Sequence, residues 1–172
     1  ADNYLKQINT HTVTPDNPYA SPLPFYELIL NCNDALHNFQ MMRQENRMTE
    51  EEYQHRYSDV GAVRCWLYLQ LGIHWGEVPY VTEPIENVID LNDASKFQRI
   101  SFDQLLDKLV AFGESLPYIE QYPAGSTLQT TYDSYNMNKV YIFKKTILGD
   151  IHLWKGNWAK AAGYYNGVMT AA

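Results

Sequence analysis

The side chains able to do chemistry in this sequence are paired carboxylates, scattered histidines, two cysteines and an excess of aromatic rings. Asp103 with Asp107 and Glu114 with Glu120 are carboxylate pairs. Such a pair does acid–base work only where an apolar pocket pushes the two pKa values apart, and neither pair has flanks of that kind. His55, His74 and Glu77 are too scattered for an i, i+4 ligand pair, and no His-Glu-x-x-His occurs. His37, beside Met41 and Met42, reads as a packing residue between helices. Lys155-Gly156-Asn157 has the outline of a phosphate loop but lacks the upstream glycine and the following Ser or Thr. There is no nucleophile elbow, dinucleotide fingerprint or Cys-x-x-Cys. Cys32 and Cys65 form neither a disulfide framework nor a zinc spacing and read as small buried hydrophobes. No enzyme, metal site or cofactor is expected. Fourteen tyrosines and four tryptophans remain to be explained, either as fillers between helices or as a binding surface of flat rings.

The elements that would position these groups are helical. The chain of 172 residues can bury a sizeable core and is expected to be one domain, all-α. With 45% hydrophobic and 19% charged residues it is globular, and a net charge of −7 argues against nucleic acid as partner. No apolar run reaches the roughly 20 residues of a membrane span. Residues 59–84 organise the rest. The run from Cys65 to Leu71 is apolar on nearly every side, so its helix is expected to be central and buried. Leu67, Leu71 and Val63 can face one neighbour, and Trp66, Leu69 and Ile73 another. Arg64 is a cation amid apolar residues and must snorkel out or find a carboxylate or helix-end carbonyls. Gly76 and Pro79 then end the helix and send the chain off extended.

Around that centre, residues 1–22, with Thr-Pro, Asn-Pro and Ser-Pro steps, read as an extended lead-in. Residues 25–41 form a first helix with Phe25, Leu28, Ile29, Cys32, Leu36 and Phe39 on its buried face. On the same helix, Asn31 and Asn33 could cross-link helices through their amides, though partial exposure is the plainer reading. Thr49 and Glu52 form a capping box, and the acids Glu50 to Glu52 complement the helix dipole, so capping explains this carboxylate cluster. The first helix pair spans 23–75. Residues 78–97 are an extended connection, and Ser101 with Gln104 caps a helix over 101–117. Tyr118, Tyr122, Tyr132 and Tyr135 lie in a long loop of the kind that often carries function.

Residues 136–170 are the second strong signal. Leu148-Gly149, Gly156, Ala161 and Tyr165 fall at tetratricopeptide-repeat offsets, two antiparallel helices and a turn. Gly149 and Ala161 allow the close crossing, Gly156-Asn157 makes the turn and Tyr165 packs back. Trp154 and Trp158 read as apolar filling at the joint. One repeat cannot bury its own face, so the earlier helix pair is its expected partner in an α–α superhelix with long irregular connections.

Arg64-Cys65-Trp66 with Tyr68, then Trp75-Gly76-Glu77-Val78-Pro79, resembles the SusD/RagB family, whose segment reads roughly E-A-x-x-x-R-A-x-x-Y followed by G-D-V-P. Asp59, Cys65 and Glu77 are mild departures from it. The run from Phe25 to Asn33 is similar to the family's Y-x-x-I-x-x-A-N, and the final helix pair resembles one of its divergent repeats. The likeness runs from about Tyr19 to Met169 and covers about the first third of a typical member. It implies a cell-surface glycan- or nutrient-binding protein of Bacteroidetes, lipid-anchored in the outer membrane through a group absent from this chain. Oligosaccharide would be held on aromatic faces and delivered to a SusC-like TonB-dependent transporter. Family sugar contacts lie partly on loops before the first helix, which makes Tyr4, Lys6 and Asn9 the positional candidates, without a matching motif. The alternative is a tetratricopeptide-type scaffold that holds a peptide or partner protein in a concave groove.

Overall fold

The computed structural model describes residues 2–85, 94–117, 131–136 and 143–170. Among these are six α-helices: α1 (Asn3–Asn9), α2 (Leu23–Gln44), α3 (Glu50–Trp75), α4 (Phe102–Ser115), α5 (Lys144–Trp154) and α6 (Trp158–Met169). Two short antiparallel ladders pair β1 (Val78–Pro79) with β2 (Arg99–Ile100), and β3 (Thr131–Tyr132) with β4 (Tyr135–Asn136). The described fold is all-α in character, with the ladders as accessories.

Helix α3 is the hub. It packs against α2, α4 and α5, while α4 and α6 each pack against α5. The apolar run predicts this placement: Cys65, Leu67, Tyr68, Leu69 and Leu71 are all buried. Together with Ile29 of α2, Leu105 and Leu109 of α4 and Ile147 and Ile151 of α5 they form one hydrophobic cluster. Each such aliphatic side chain, fully buried, stabilises by about 1.5–3 kcal/mol relative to exposure. Trp66 departs from the expectation, since it is 37% exposed on the outer side of α3.

The helix ends follow their local signals. Thr49 Oγ1 accepts from the Glu52 amide at 3.2 Å and Glu52 Oε2 accepts from the Thr49 amide at 3.1 Å, so both halves of the capping box are made. Ser101 and Gln104 repeat the arrangement at α4. Gly76 closes α3 with φ 73°, a left-handed conformation that costs glycine nothing and other residues more than a kcal/mol or so. Pro79 follows directly in β1.

Four expectations need correction. Residues 1–22 are not wholly extended: Asp2 caps α1 by accepting from the Tyr4 amide at 2.9 Å, and Pro18–Ala20 form a 3₁₀ turn. Leu28 does not belong to the buried face of α2, which is made by Ile29, Cys32, Asn33 and Leu36 and leaves Leu28 at its edge, 53% exposed. Trp154 and Trp158 are half to two-thirds exposed, so they do not fill the joint between α5 and α6. The 118–135 loop contains the first strand of a hairpin, whose turn residues Asp133 and Ser134 take positive φ. Tyr118 and Tyr122 lie outside the described residues.

Candidate functional site

The segment that follows α3 is the most densely tethered stretch of described backbone, and side chains do the tethering. Tyr26 of α2 donates its hydroxyl to the Pro79 carbonyl at 2.9 Å. The Tyr68 hydroxyl donates to the Val81 carbonyl at 2.7 Å and accepts from the Val81 amide at 2.8 Å. Asn33 Nδ2 donates to the carbonyls of Val81, at 3.0 Å, and Glu83, at 3.3 Å. Buried backbone polar groups that find no strand need such partners, because leaving them unpaired costs about 1–3 kcal/mol each.

Arg64 completes this network. Its Nη1 donates to Asn33 Oδ1 at 2.7 Å and to the Thr82 carbonyl at 3.4 Å, and the guanidinium lies 4.1 Å from the centre of the Phe112 ring. Neither snorkelling nor helix-end carbonyls satisfies Arg64, which is only 5% exposed. An amide, a loop carbonyl and an aromatic face do so instead. Asn33 is buried, not half-exposed as its polarity suggests.

Beside this network is a groove of about 260 Å³ whose walls include Asn33, Gln40, Tyr57, Arg64, Glu83 and Phe112. His37 and Tyr80 line it as well, so His37 faces a cavity and is not plain interhelical packing. Gln40 Nε2 donates to the Tyr57 hydroxyl at 3.2 Å. Burial pushes the Tyr26 and Tyr80 phenols up to about 12, so both stay neutral. Burial likewise pushes the Cys65 thiol up to about 12, which leaves it protonated and chemically quiet. The groove therefore offers hydrogen-bond donors, one fixed cation, the Glu83 carboxylate, the His37 imidazole and flat rings. It is equipped to bind.

The other sequence candidates lie elsewhere. Tyr4, Lys6 and Asn9 all fall on α1. The helix sets Lys6 and Asn9 on one face at i, i+3 spacing and turns Tyr4 roughly 160° away from Lys6. Lys6 and Asn9 are exposed, whereas Tyr4 is half-buried and its carbonyl accepts from Asn17 Nδ2 at 3.0 Å. The three do not converge on one point. At the far end Gly149, Gly156 and Ala161 shape the α5–α6 pair. A Cβ on Gly149 would lie 2.5 Å from Tyr165 Cε1, Gly156 takes φ 76° in the turn, and Ala161 is buried. Sequence reasoning missed Gln40, Tyr57 and Phe112, which lie far apart in the chain and carry no motif. The only trace was the improbability of Arg64 in an apolar run.

No sequence profile of a known family matches the chain. No curated protein matches it either. Solved structures do. A surface glycan-binding protein A from Bacteroides uniformis superposes with a TM-score of 0.72 at 16% identity, over 97% of this chain and 35% of that one. The fold is that of SusD-like proteins. A SusD-like carbohydrate-binding protein from Bacteroides fragilis gives a TM-score of 0.70 at 17% identity, over 92% of this chain and 29% of that one. A SusD superfamily protein from Bacteroides vulgatus gives 0.67 at 11% identity, over 98% and 33%. The chain thus spans about a third of the length of these SusD-like structures. No described helix is long and apolar enough to cross a membrane.

Proposed function

We propose that this chain is part of a cell-surface glycan-binding protein, which captures oligosaccharides and delivers them to a SusC-like TonB-dependent transporter in the outer membrane. In this reading residues 1–172 are one SusD-like helical domain, and a lipid outside the chain tethers the protein to the membrane. The observation that carries it is the superposition of 97% of the chain on a surface glycan-binding protein. The groove chemistry agrees, since rings match the C–H faces of a pyranose while amides and hydroxyls meet its hydroxyl groups. Lys6 and Asn9, on the exposed face of α1, stand as further sugar contacts, with Tyr4 on the opposite side. The absence of a catalytic constellation in the sequence favours binding over turnover.

Titration of the full-length protein with a panel of neutral and acidic oligosaccharides, read by tryptophan fluorescence, tests the reading. Saturable quenching by one sugar class is expected, and silence across the panel sinks it. The half-exposed Trp154 and Trp158 on the α5–α6 pair favour one second reading, a scaffold that grips a peptide or partner protein. Peptide-induced quenching in the absence of any sugar response would select it.

A further inference from the structure

Arg64 makes only part of the hydrogen bonding it is capable of. A guanidinium has five N–H donors in a planar fork. Nη1 is committed to Asn33 and Thr82, while Nε and Nη2 donate to no described residue. The side chain as a whole is nevertheless 95% buried, being 5% exposed, and it lines the 260 Å³ groove. The Nε–Nη2 edge is the side of the fork that takes both oxygens of a carboxylate in parallel N–H···O bonds. The unused donors of a cation held this deep can be taken up by an anion of matching geometry.

We propose that the groove beside Arg64 is a seat for a sugar acid, a hexuronate, whose carboxylate lies on the Nε–Nη2 edge. The carboxylate half of this assignment stands on Arg64 alone. The sugar half rests on the glycan-binding reading above. Asn33 and the Thr82 carbonyl clamp Nη1 and fix the fork's plane, and Phe112 packs against its face, so the donors are pre-organised before a ligand arrives. Tyr57, Gln40 and Phe112 supply a ring wall and an amide for the pyranose. The volume lies just below the roughly 300–1,000 Å³ of drug-sized pockets, which suits a single ring. Glu83 lines the same groove and is exposed. Its negative charge opposes every anion that enters, a dianion such as phosphate about twice as strongly as a single carboxylate.

Isothermal calorimetry on the full-length protein with glucuronate, glucose and acetate tests the proposal. Glucuronate is expected to bind about tenfold or more tighter than either of the others, with glucose reporting the carboxylate and acetate the ring. Arg64→Lys keeps the charge but loses the fork, and should weaken glucuronate about tenfold or more. Should that variant not fold, Gln40→Ala, at the exposed rim, is expected to weaken glucuronate severalfold and Glu83→Gln to tighten it. Equal affinity for glucuronate and glucose, or no glucuronate heat at all, overturns the seat. Equal affinity for acetate and glucuronate overturns its assignment to a sugar acid. Binding of glucuronate to Glu83→Gln but not to the unmodified protein would make Glu83 the fork's own occupant and overturn the proposal too. The glycan reading fails separately, on neutral and acidic oligosaccharides binding nowhere in the protein.

Discussion

Replacing Tyr68 by Phe removes one oxygen atom and nothing else from the centre of the fold. Tyr68 is fully buried, and its hydroxyl serves both polar groups of Val81, at 2.7 Å to the carbonyl and 2.8 Å from the amide. The two losses are unequal. The Val81 carbonyl keeps Asn33 Nδ2 at 3.0 Å, whereas the Val81 amide has no other partner among the described residues. An orphaned buried donor costs about 1–3 kcal/mol, and the weakened carbonyl adds a fraction of one ordinary bond, about 0.5 kcal/mol. The shape is unchanged, so no cavity cost arises. Tyr68→Phe is therefore expected to destabilise the fold by about 1.5–3.5 kcal/mol, or roughly 3–14 °C in Tm for a chain of this size. Urea unfolding followed by circular dichroism measures it, with an unchanged m-value as the check that the denatured state is not the source. Hydrogen exchange localises it: the Val81 amide should lose its protection first. In an Asn33→Ala background the same substitution should cost more, because the Val81 carbonyl is then stripped of both donors. A Tyr68→Phe effect below about 0.5 kcal/mol, or a Val81 amide as protected as before, would refute the account.

Two other outcomes follow from the far helix pair. Gly149→Ala places a methyl 2.5 Å from Tyr165 Cε1, and the Tyr165 hydroxyl is held by Asp150 Oδ1 at 2.6 Å, so the ring cannot swing aside freely. The expected cost is about 1–3 kcal/mol by urea unfolding, and full wild-type stability would mean the helices can part. His152 of α5 is 1% exposed, stacked on Tyr164 at 5.6 Å, with Glu114 Oε1 at 3.7 Å, too far for a hydrogen bond. Burial, helped by Lys160, holds its pKa below 6.5, with Glu114 opposing. A histidine depressed on folding contributes stability that is complete above about pH 6.5 and is lost as pH falls toward the folded value. Burial shifts His55 in the same direction. Unfolding midpoints should therefore fall as pH drops below about 6.5, with a shallower slope in His152→Gln. An unchanged slope in that variant would place the titration elsewhere.

Much of the fold was legible because its signals are local. An all-round apolar run marks a central helix, a Thr or Ser three residues before Glu or Gln marks a start, and Gly149 with Tyr165 marks a close crossing. Helix α1 was not legible because NYLKQIN offers only Leu5 and Ile8 as an apolar pair, and both remain exposed. Its support is polar and long-range: Asn17 donates to the Tyr4 carbonyl and to Gln7 Oε1, each at 3.0 Å. The groove was hidden for the same reason. Arg64 and Asn33 are 31 positions apart and meet only once α2 lies against α3. What the sequence did reveal was the anomaly of a cation in an apolar run, without the partner that resolves it. The exposed Trp154 and Trp158 misled because aromatic residues near a turn look alike whether they fill a joint or face outward.

The stretch from Pro79 to Glu83 behaves as a strand whose neighbours are side chains. Tyr26, Asn33, Arg64 and Tyr68 grasp its carbonyls, which every residue type supplies, and one amide, which every type but proline supplies. Much of the information that fixes this path is thus stored in the helices, and the rest in the packed side chains of Tyr80 and Val81. The exposed Glu83 side chain is free to vary, while the four distant grips, the buried Val81 and the Tyr80 ring, 4.8 Å from that of Tyr68, are fixed. A connection of this kind can be re-lettered on its outer side, and so acquire new surface chemistry, without being rebuilt.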